Sequence, residues 1–262
     1  MLEIIPENLN LSDKEPDWEN DNISERDVYL YDPPIEKLIK NENINIKLIE
    51  KYNPNWDEIS KNENLTENII EKYQNQVYWY NISCYQNLSE SFIEKFQDKV
   101  HWDCISQYQT LSENFIEQFQ DKVNWKKISW KQKLSETFIE KYQERMNWYN
   151  ISRYQTLSES FIEKFQDNLY WVCISSNQTL SEPFIEKFQD KVNWECISQY
   201  QILSESFMEK YKDKLNWAVM SYAQKLSENF IKKYQNKVDW HYIINYQILS
   251  ENFKEKFKHK LI

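Results

Sequence analysis

Few residues in the sequence have the type and spacing that catalysis or metal binding requires. The four cysteines form no C-x-x-C pair, and His101, His241 and His259 match no metal-ligand spacing. The chain contains no glycine, which P-loops, dinucleotide-binding fingerprints and nucleophile elbows need where the backbone turns tightly or approaches a phosphate. The sequence therefore predicts that the protein is not an enzyme and has no cofactor and no metal site.

The cysteines are predicted to be reduced thiols. Cys104, Cys173 and Cys196 share one position of the repeat described below, and neighbouring repeats of a helical array stand about 10 Å apart. A disulfide spans at most about 7 Å between Cα atoms. The sequence also shows no secretion leader and no apolar stretch of membrane-spanning length. These features predict a cytoplasmic protein, in the host cell if it is viral, that has no membrane partner.

One sequence unit recurs through most of the chain. Tryptophan recurs every 23 residues, and a leucine follows on the same period. The periodic tryptophans are Trp56, Trp79, Trp102, Trp125, Trp148, Trp171, Trp194, Trp217 and Trp240. A fixed spacing of this length indicates a repeat architecture in which each unit packs on its neighbours.

Each unit predicts a hairpin of two helices. In the unit that begins at Leu88, Ser89 is placed to cap a first helix and Glu90 lies in its first turn. Apolar residues then follow at helical spacing as far as Val100. The second helix begins at Trp102, and the residue before this tryptophan is Asn or Asp in most other units, among them Asn124, Asn147, Asn193, Asn216 and Asp239. The predicted lengths are roughly 11 and 8 residues.

These hairpins predict an all-α protein, a right-handed-type α-solenoid that is elongated and curved. The array is predicted to cover residues 44–262, with a truncated, lysine-rich capping helix from Leu249. Residues 1–43 are predicted to form an acidic, divergent N-terminal cap or arm.

Three recurring polar or aromatic patterns have structural interpretations. The glutamine typified by Gln109 recurs in every complete unit, which predicts a hydrogen-bond ladder between repeats. The periodic tryptophans are predicted to lie in the core. The Glu and Lys residues of the first helices are interpreted as helix-stabilising surface charges.

Variation between the units marks a candidate binding surface. The positions of Asp103, Gln107 and Thr110 change freely from unit to unit, and they fall on one face of the second helix. They predict a single exposed ridge along the array, with Tyr, Trp and Arg side chains typical of protein interfaces. The alternative is unconstrained variation at solvent-facing positions. The candidate contact residues are Tyr80, Lys126, Trp130, Lys133, Tyr149, Arg153, Glu195, Gln199 and Tyr222.

The repeat wording L-S-E-x-F-I-E-K-F-Q-D-K-V-x-W-x-x-I-S resembles tandem repeats in uncharacterised proteins of giant DNA viruses, phages and low-GC bacteria. The resemblance covers about residues 44–262. It implies a repeat fold, and it implies no activity and no functional residue.

The charge distribution separates two hypotheses about function. The formal net charge is −10, and residues 1–64 hold 16 acidic and 7 basic residues, so direct binding to a phosphate backbone is disfavoured. The first hypothesis is a non-enzymatic scaffold that binds a protein partner through the ridge. The alternative is a viral or phage inhibitor of a nucleic-acid-handling defence enzyme, of the anti-CRISPR type, whose acidic surface occupies a basic groove. Direct RNA binding by the basic–aromatic residues near Trp130 is a third, weaker hypothesis.

Overall fold

Two kinds of short helix alternate along the chain. The computed structural model describes residues 55–61 and 65–260, and the predicted cap or arm at residues 1–43 lies outside these ranges. Within them there are eighteen α-helices, one final 3-10 turn at Lys258–Lys260 and no strand. The predicted all-α repeat fold is thus confirmed.

Helices that begin at the periodic tryptophan are called Trp-helices here, and those that begin at a glutamate are called Glu-helices. The Trp-helices are α1 (Trp56–Lys61), α3 (Trp79–Tyr85), α5 (Trp102–Tyr108), α7 (Trp125–Lys131), α9 (Trp148–Tyr154), α11 (Trp171–Asn177), α13 (Trp194–Tyr200), α15 (Trp217–Ala223) and α17 (Trp240–Tyr246). The Glu-helices are α2 (Glu67–Lys72), α4 (Glu90–Lys95), α6 (Glu113–Gln118), α8 (Glu136–Lys141), α10 (Glu159–Lys164), α12 (Glu182–Lys187), α14 (Glu205–Lys210), α16 (Glu228–Lys233) and α18 (Glu251–Lys256).

The chain divides into two compact units, Met1–Val123 and Asn124–Ile262. In the described part of the first unit, α1 packs on α3 and α3 packs on α5. In the second unit, each Trp-helix from α7 to α15 packs on the Trp-helix of the next repeat. Both units therefore have the solenoid-like stacking that the 23-residue period predicts.

The Glu-helices are shorter than predicted, because the backbone tightens before the apolar stripe ends. Helix α4 has six residues. Beyond it, Gln97 N–H donates to Glu94 O and Lys99 N–H donates to Phe96 O, both bonds spanning three residues. Such bonds belong to 3-10-type turns. The turn places Val100 in the core, where it is buried, without a further turn of α-helix.

An isoleucine from most of the helices forms the centre of the core. Ile93 of α4 and Ile105 of α5 both have no exposed surface. In α14 and α15, Met208 and Met220 occupy the equivalent positions and are equally buried. Exchange of side chains of similar volume is what a tightly packed core tolerates best.

The predicted serine caps are present, and the neighbouring repeat completes them. Ser181 Oγ accepts a hydrogen bond of 3.3 Å from Phe184 N, the third residue of α12. Ser181 N donates to Glu159 Oε1 of the preceding Glu-helix at 2.6 Å. In a capping box both bonds form within one helix. Here the serine and the glutamate come from successive repeats, so the cap also joins the repeats.

The glutamine ladder is confirmed. Gln178 is buried at the end of α11. Its Nε2 donates to Gln155 O at 2.8 Å and to Ser152 O at 3.4 Å, and its Oε1 accepts from Leu157 N at 3.0 Å. One side chain thereby satisfies three backbone groups at the C-terminal end of the preceding Trp-helix. Gln109, Gln155, Gln201, Gln224 and Gln247 make the same set of contacts.

The hydrogen bonds of this ladder explain how the Trp-helices can end without a glycine. Helices often end on a residue in the left-handed conformation, usually glycine, which satisfies the last carbonyl groups. The Trp-helices instead end on the ladder glutamine in an extended conformation, with φ −89° and ψ 150° at Gln155. The next repeat supplies the missing hydrogen bonds, so the link needs no positive φ.

A serine at the fifth position of the Trp-helices makes a second set of bonds between repeats, and among the described Trp-helices only α17 has another residue there, Ile244. Ser152 has no exposed surface, and its Oγ donates to Trp148 O at 2.7 Å. The same oxygen accepts from Tyr170 N at 2.9 Å, at the start of the next Trp-helix. The serine of one Trp-helix thus bonds to the backbone N–H at which the next one begins.

One lysine of each Glu-helix from α10 to α16 pairs with a glutamate of the preceding repeat, as Lys187 does with Glu163 and Lys210 with Glu186. In α18, by contrast, Lys254 pairs with Glu251 of the same helix. The pairs between repeats correct the interpretation that the charges stabilise single helices. The hydrogen bond from Lys210 lowers the pKa of Glu186. Because the paired groups are exposed, solvent and salt weaken the pairs, and each contributes little to stability.

The periodic tryptophans are half-buried and not fully in the core. Trp194 Nε1 donates to Gln189 O at 2.9 Å. The Trp194 ring lies with its centroid 5.1 Å from Tyr211 and 6.4 Å from Phe207, both in the following hairpin segment. One edge of this indole thus closes a turn while its face covers the aromatic residues of the next Glu-helix.

The prediction of four reduced thiols is wrong for one pair. Cys84 and Cys104 form a disulfide with Cα atoms 4.9 Å apart, whereas Cys173 and Cys196 are free. Cys84 lies five residues after its tryptophan, and that position faces the position two residues after the next tryptophan. The spacing argument compared only cysteines at equivalent positions and so missed this contact. Because disulfides are rare in cytosolic proteins, the argument for a cytoplasmic location loses its support from the cysteines.

We expect Gln178→Leu to lower the free energy of unfolding by about 1–3 kcal/mol, because buried backbone groups lose their partners while the volume is kept. The control is Gln143→Leu, at an exposed position, which should change stability by less than about 0.5 kcal/mol. Urea denaturation followed by circular dichroism measures both. Equal effects would contradict a structural role for the ladder.

We expect Trp194→Ala to cost about 2–3 kcal/mol, less than a fully buried tryptophan because the ring is half-exposed. Trp130, the tryptophan outside the period within the array, makes no backbone hydrogen bond through its indole nitrogen in the described structure, and Trp130→Ala should cost less than about 1 kcal/mol. Thermal melting of the two variants tests the difference. A larger loss of stability from Trp130→Ala than from Trp194→Ala would contradict the view that the periodic tryptophan, and not Trp130, stabilises the fold.

Candidate functional site

The predicted ridge divides into an exposed row and a half-buried row. The residue after the periodic tryptophan is exposed in every described repeat except the first, where Asp57 is half-buried. The residue eight positions after the tryptophan, such as Lys133, is also exposed wherever the structure describes it. The residue five positions after it is half-buried at Gln107, Trp130 and Gln199. The expectation of one evenly exposed ridge is therefore wrong.

The packing between Trp-helices explains the difference. The residue five positions after the tryptophan faces the next Trp-helix: the Trp130 ring lies 6.0 Å from the Tyr154 ring. Likewise Tyr222 lies 5.0 Å from Tyr242 and 6.1 Å from Tyr246. These side chains serve partly to join repeats.

The structure places every candidate contact residue at or near the surface of a Trp-helix or its link. The exposed ones are Tyr80, Lys126, Lys133, Tyr149, Arg153 and Glu195, and the half-buried ones are Trp130, Gln199 and Tyr222. Tyr80 belongs to the unit that ends at Val123, and its ring packs edge-on against His101 at 5.0 Å. The other eight belong to the second unit.

Sequence reasoning missed a row of exposed tyrosines. The residue six positions after the periodic tryptophan is tyrosine in five repeats and is about half exposed, for example 57% at Tyr108 and 55% at Tyr200. The row consists of Tyr85, Tyr108, Tyr154, Tyr200 and Tyr246. The sequence analysis searched for variable positions, and a recurring tyrosine does not vary. The sequence did indicate this row, because the tyrosine recurs at a helix position next to the ridge.

Lysine, arginine and aromatic side chains meet on α7 and α9 of the second unit. We call Lys126, Lys127, Trp130, Lys131, Lys133, Tyr149, Arg153 and Tyr154 the basic–aromatic cluster. Lys131 Nζ lies 4.1 Å and Lys127 Nζ lies 5.3 Å from the centroid of the Trp130 ring. Both distances are within the range of cation–π attraction.

Arg153 is held by two tyrosines. Its Nη1 donates to Tyr149 Oη at 2.8 Å, and its guanidinium carbon lies 5.4 Å from the centre of the Tyr154 ring. The hydrogen bond to Tyr149 raises the pKa of Arg153, so the guanidinium stays charged at every physiological pH. The positive charge is therefore fixed in position as well as in protonation state.

Two hollows adjoin the cluster. The larger, of about 430 Å³, is lined by the exposed side chains of three successive Trp-helices, among them Tyr149, Arg153, Tyr170, Val172 and Tyr200. The smaller, of about 330 Å³, lies between Lys126, Lys127, Trp130, Asn150 and Tyr154. Neither lining contains an acidic residue.

The cations of the cluster differ in pairing from the lysines of the Glu-helices. Lys164, Lys187, Lys210 and Lys233 each pair with a glutamate of the preceding repeat. Within the second unit no ion pair joins a carboxylate to any of the five cations of the cluster, and helices α7, α9 and α11 contain no Asp or Glu.

Side chains suited to metal binding are not brought together in the part of the chain that the structure describes. No cluster of His, Cys, Asp and Glu there could hold a metal ion. Burial raises the pKa of the Cys173 and Cys196 thiols, which lowers their thiolate fraction and their reactivity.

Among residues 55–61 and 65–260, no helix is long and apolar enough to cross a membrane.

Comparison with protein-family models, with curated proteins and with solved structures gives no match to the chain. The structure therefore classifies the protein by its architecture, as a tandem helical repeat scaffold.

Proposed function

We propose that the protein is a non-enzymatic repeat scaffold that binds a protein partner through the exposed face of its Trp-helices, with the basic–aromatic cluster at the centre of the interface. The observation that carries the proposal is a set of aromatic side chains and cations on the outer side of the Trp-helices that take no part in the backbone hydrogen bonds between repeats. Tyr, Trp and Arg are the residues that most often dominate binding energy at protein interfaces.

Within each repeat, the residues that join repeats and the exposed residues of the Trp-helix occupy different positions, which supports this proposal. Bonds between repeats use the ladder glutamine, the buried serine of the Trp-helix, and the serine and charged residues of the Glu-helix, as at Gln178, Ser152 and Ser181. The outer positions of the Trp-helices do not belong to this network, so their side chains can change without loss of stacking. Tyr149 is 40% exposed, and Ile202 and Ile248 are 96% and 94% exposed.

A second function remains a prediction of the sequence alone. An inhibitor of the anti-CRISPR type would use the acidic residues of the N-terminal part to occupy a basic groove, and residues 1–43 lie outside the described ranges.

We expect a photo-crosslinking amino acid at Tyr149 to capture a discrete protein from an extract of the native host. The same group at Gln143, an exposed residue in the turn after α8, serves as the matched control and should capture nothing specific. Mass spectrometry then identifies the product. Equal capture at the two positions would contradict a binding face on the Trp-helices.

With that partner purified, we expect Trp130→Ala, Tyr149→Ala and Arg153→Ala each to weaken binding by about 2 kcal/mol, roughly 30-fold. Melting temperatures should stay near that of the wild type, because none of the three side chains bonds to a neighbouring backbone in the described structure. Lys232→Ala, on the exposed side of α16, is the control. Wild-type affinity in all three variants would refute the proposed face.

A further inference from the structure

We propose that the basic–aromatic cluster recognises a short acidic segment of the partner, a stretch of peptide rich in aspartate and glutamate. This inference rests on the proposed function and specifies the chemistry of the partner. It follows from three features of the second unit: the positive charge of the cluster, the contacts that position its cations, and the contacts that cover its aromatic rings.

The charge of the cluster is positive in a protein whose formal net charge is −10. Five cations lie on or beside α7 and α9, and the next Trp-helix, α11, adds no acidic residue. The acid-free surface ends at Glu195, the second residue of α13. Within the second unit the acid-free stretch covers three successive Trp-helices, an extent that matches a short anionic segment.

The cations are available and already positioned. In the Glu-helices α10 to α16, one lysine per helix is neutralised by a glutamate of the preceding repeat, as Lys187 is by Glu163. Lys127 and Lys131 instead lie over the Trp130 ring, and Arg153 donates to Tyr149. Ordering a long basic side chain costs conformational entropy. Part of that cost is met before a ligand binds, and each cation can then form a charge-assisted hydrogen bond with a carboxylate.

The aromatic rings favour a peptide over a single-stranded nucleic acid. Binding of unpaired bases depends on stacking against open aromatic faces. The Trp130 ring carries the two lysine ammonium groups and contacts Tyr154, and Tyr154 in turn lies under the Arg153 guanidinium. These rings serve as supports for cations. The hollow of about 430 Å³ beside Arg153, lined by Tyr170, Val172 and Tyr200, then offers room for an apolar side chain of the same segment.

The test uses two fluorescein-labelled peptides, four repeats of Glu-Glu-Leu and four repeats of Gln-Gln-Leu, titrated with the full chain and followed by fluorescence anisotropy. We expect the glutamate peptide to bind at least about tenfold more tightly at low salt, and the difference to shrink as salt screens the charges. Lys126→Gln/Lys131→Gln/Arg153→Gln should weaken binding of the glutamate peptide at least about tenfold.

The matched control removes the same charge from other surfaces. Lys212→Gln/Lys232→Gln/Lys256→Gln also lowers the net charge by three, at exposed positions of the second unit, and should bind the glutamate peptide within about twofold of the wild type. Equal weakening in the two triple variants would show a general charge effect and overturn the inference. A twelve-nucleotide oligothymidylate that binds the cluster more tightly than the glutamate peptide would overturn it in favour of nucleic acid.

Failure of the inference and failure of the proposed function give different results. Equal affinity for the glutamate and glutamine peptides, together with protein capture at Tyr149, would refute the acidic segment and leave the binding face in place. Absence of capture at Tyr149 would refute both the face and the partner segment assigned to it.

Discussion

The hydrogen bonds of the buried glutamine are the constraint on which the repeat depends. A helix of seven residues leaves most of its terminal carbonyl groups without a partner inside the helix, and a sharp link back to the next helix leaves further backbone groups unpaired. The glutamine of the following repeat bonds to these groups from outside, as Gln155 does for Gln132 and Leu134. A repeat is therefore complete only when the next one is stacked on it.

Other conserved features of the unit extend the same principle. The serine that caps a Glu-helix receives its second partner from the glutamate of the preceding Glu-helix, and the serine within a Trp-helix holds the first backbone N–H of the next. Individually these bonds are worth about 1 kcal/mol. Their periodic occurrence means that the described stacking is specified by directional contacts as well as by burial of isoleucine and phenylalanine.

Because stacking uses one set of positions, a different set is left for recognition. The outer side of each Trp-helix can change from Tyr149 to Glu195 without affecting the ladder. In the second unit this freedom produces a local excess of positive charge and aromatic area on α7, α9 and α11. A positive, acid-free patch can attract an acidic segment locally even though the protein as a whole has a negative net charge.

The sequence by itself determined the repeat, the helical class, the serine caps and the glutamine ladder, because each of these depends on local periodicity or on a side chain whose role recurs every 23 residues. The tertiary structure decided the side-chain contacts between repeats, which depend on how far each helix is displaced along its neighbour. That offset brings Cys84 to Cys104, turns Trp130 toward Tyr154, and pairs Lys187 with Glu163 of the previous repeat. It also leaves the recurring tyrosines exposed. None of these contacts follows from the period alone, because the period fixes which residues are equivalent and not which of them face each other across neighbouring helices.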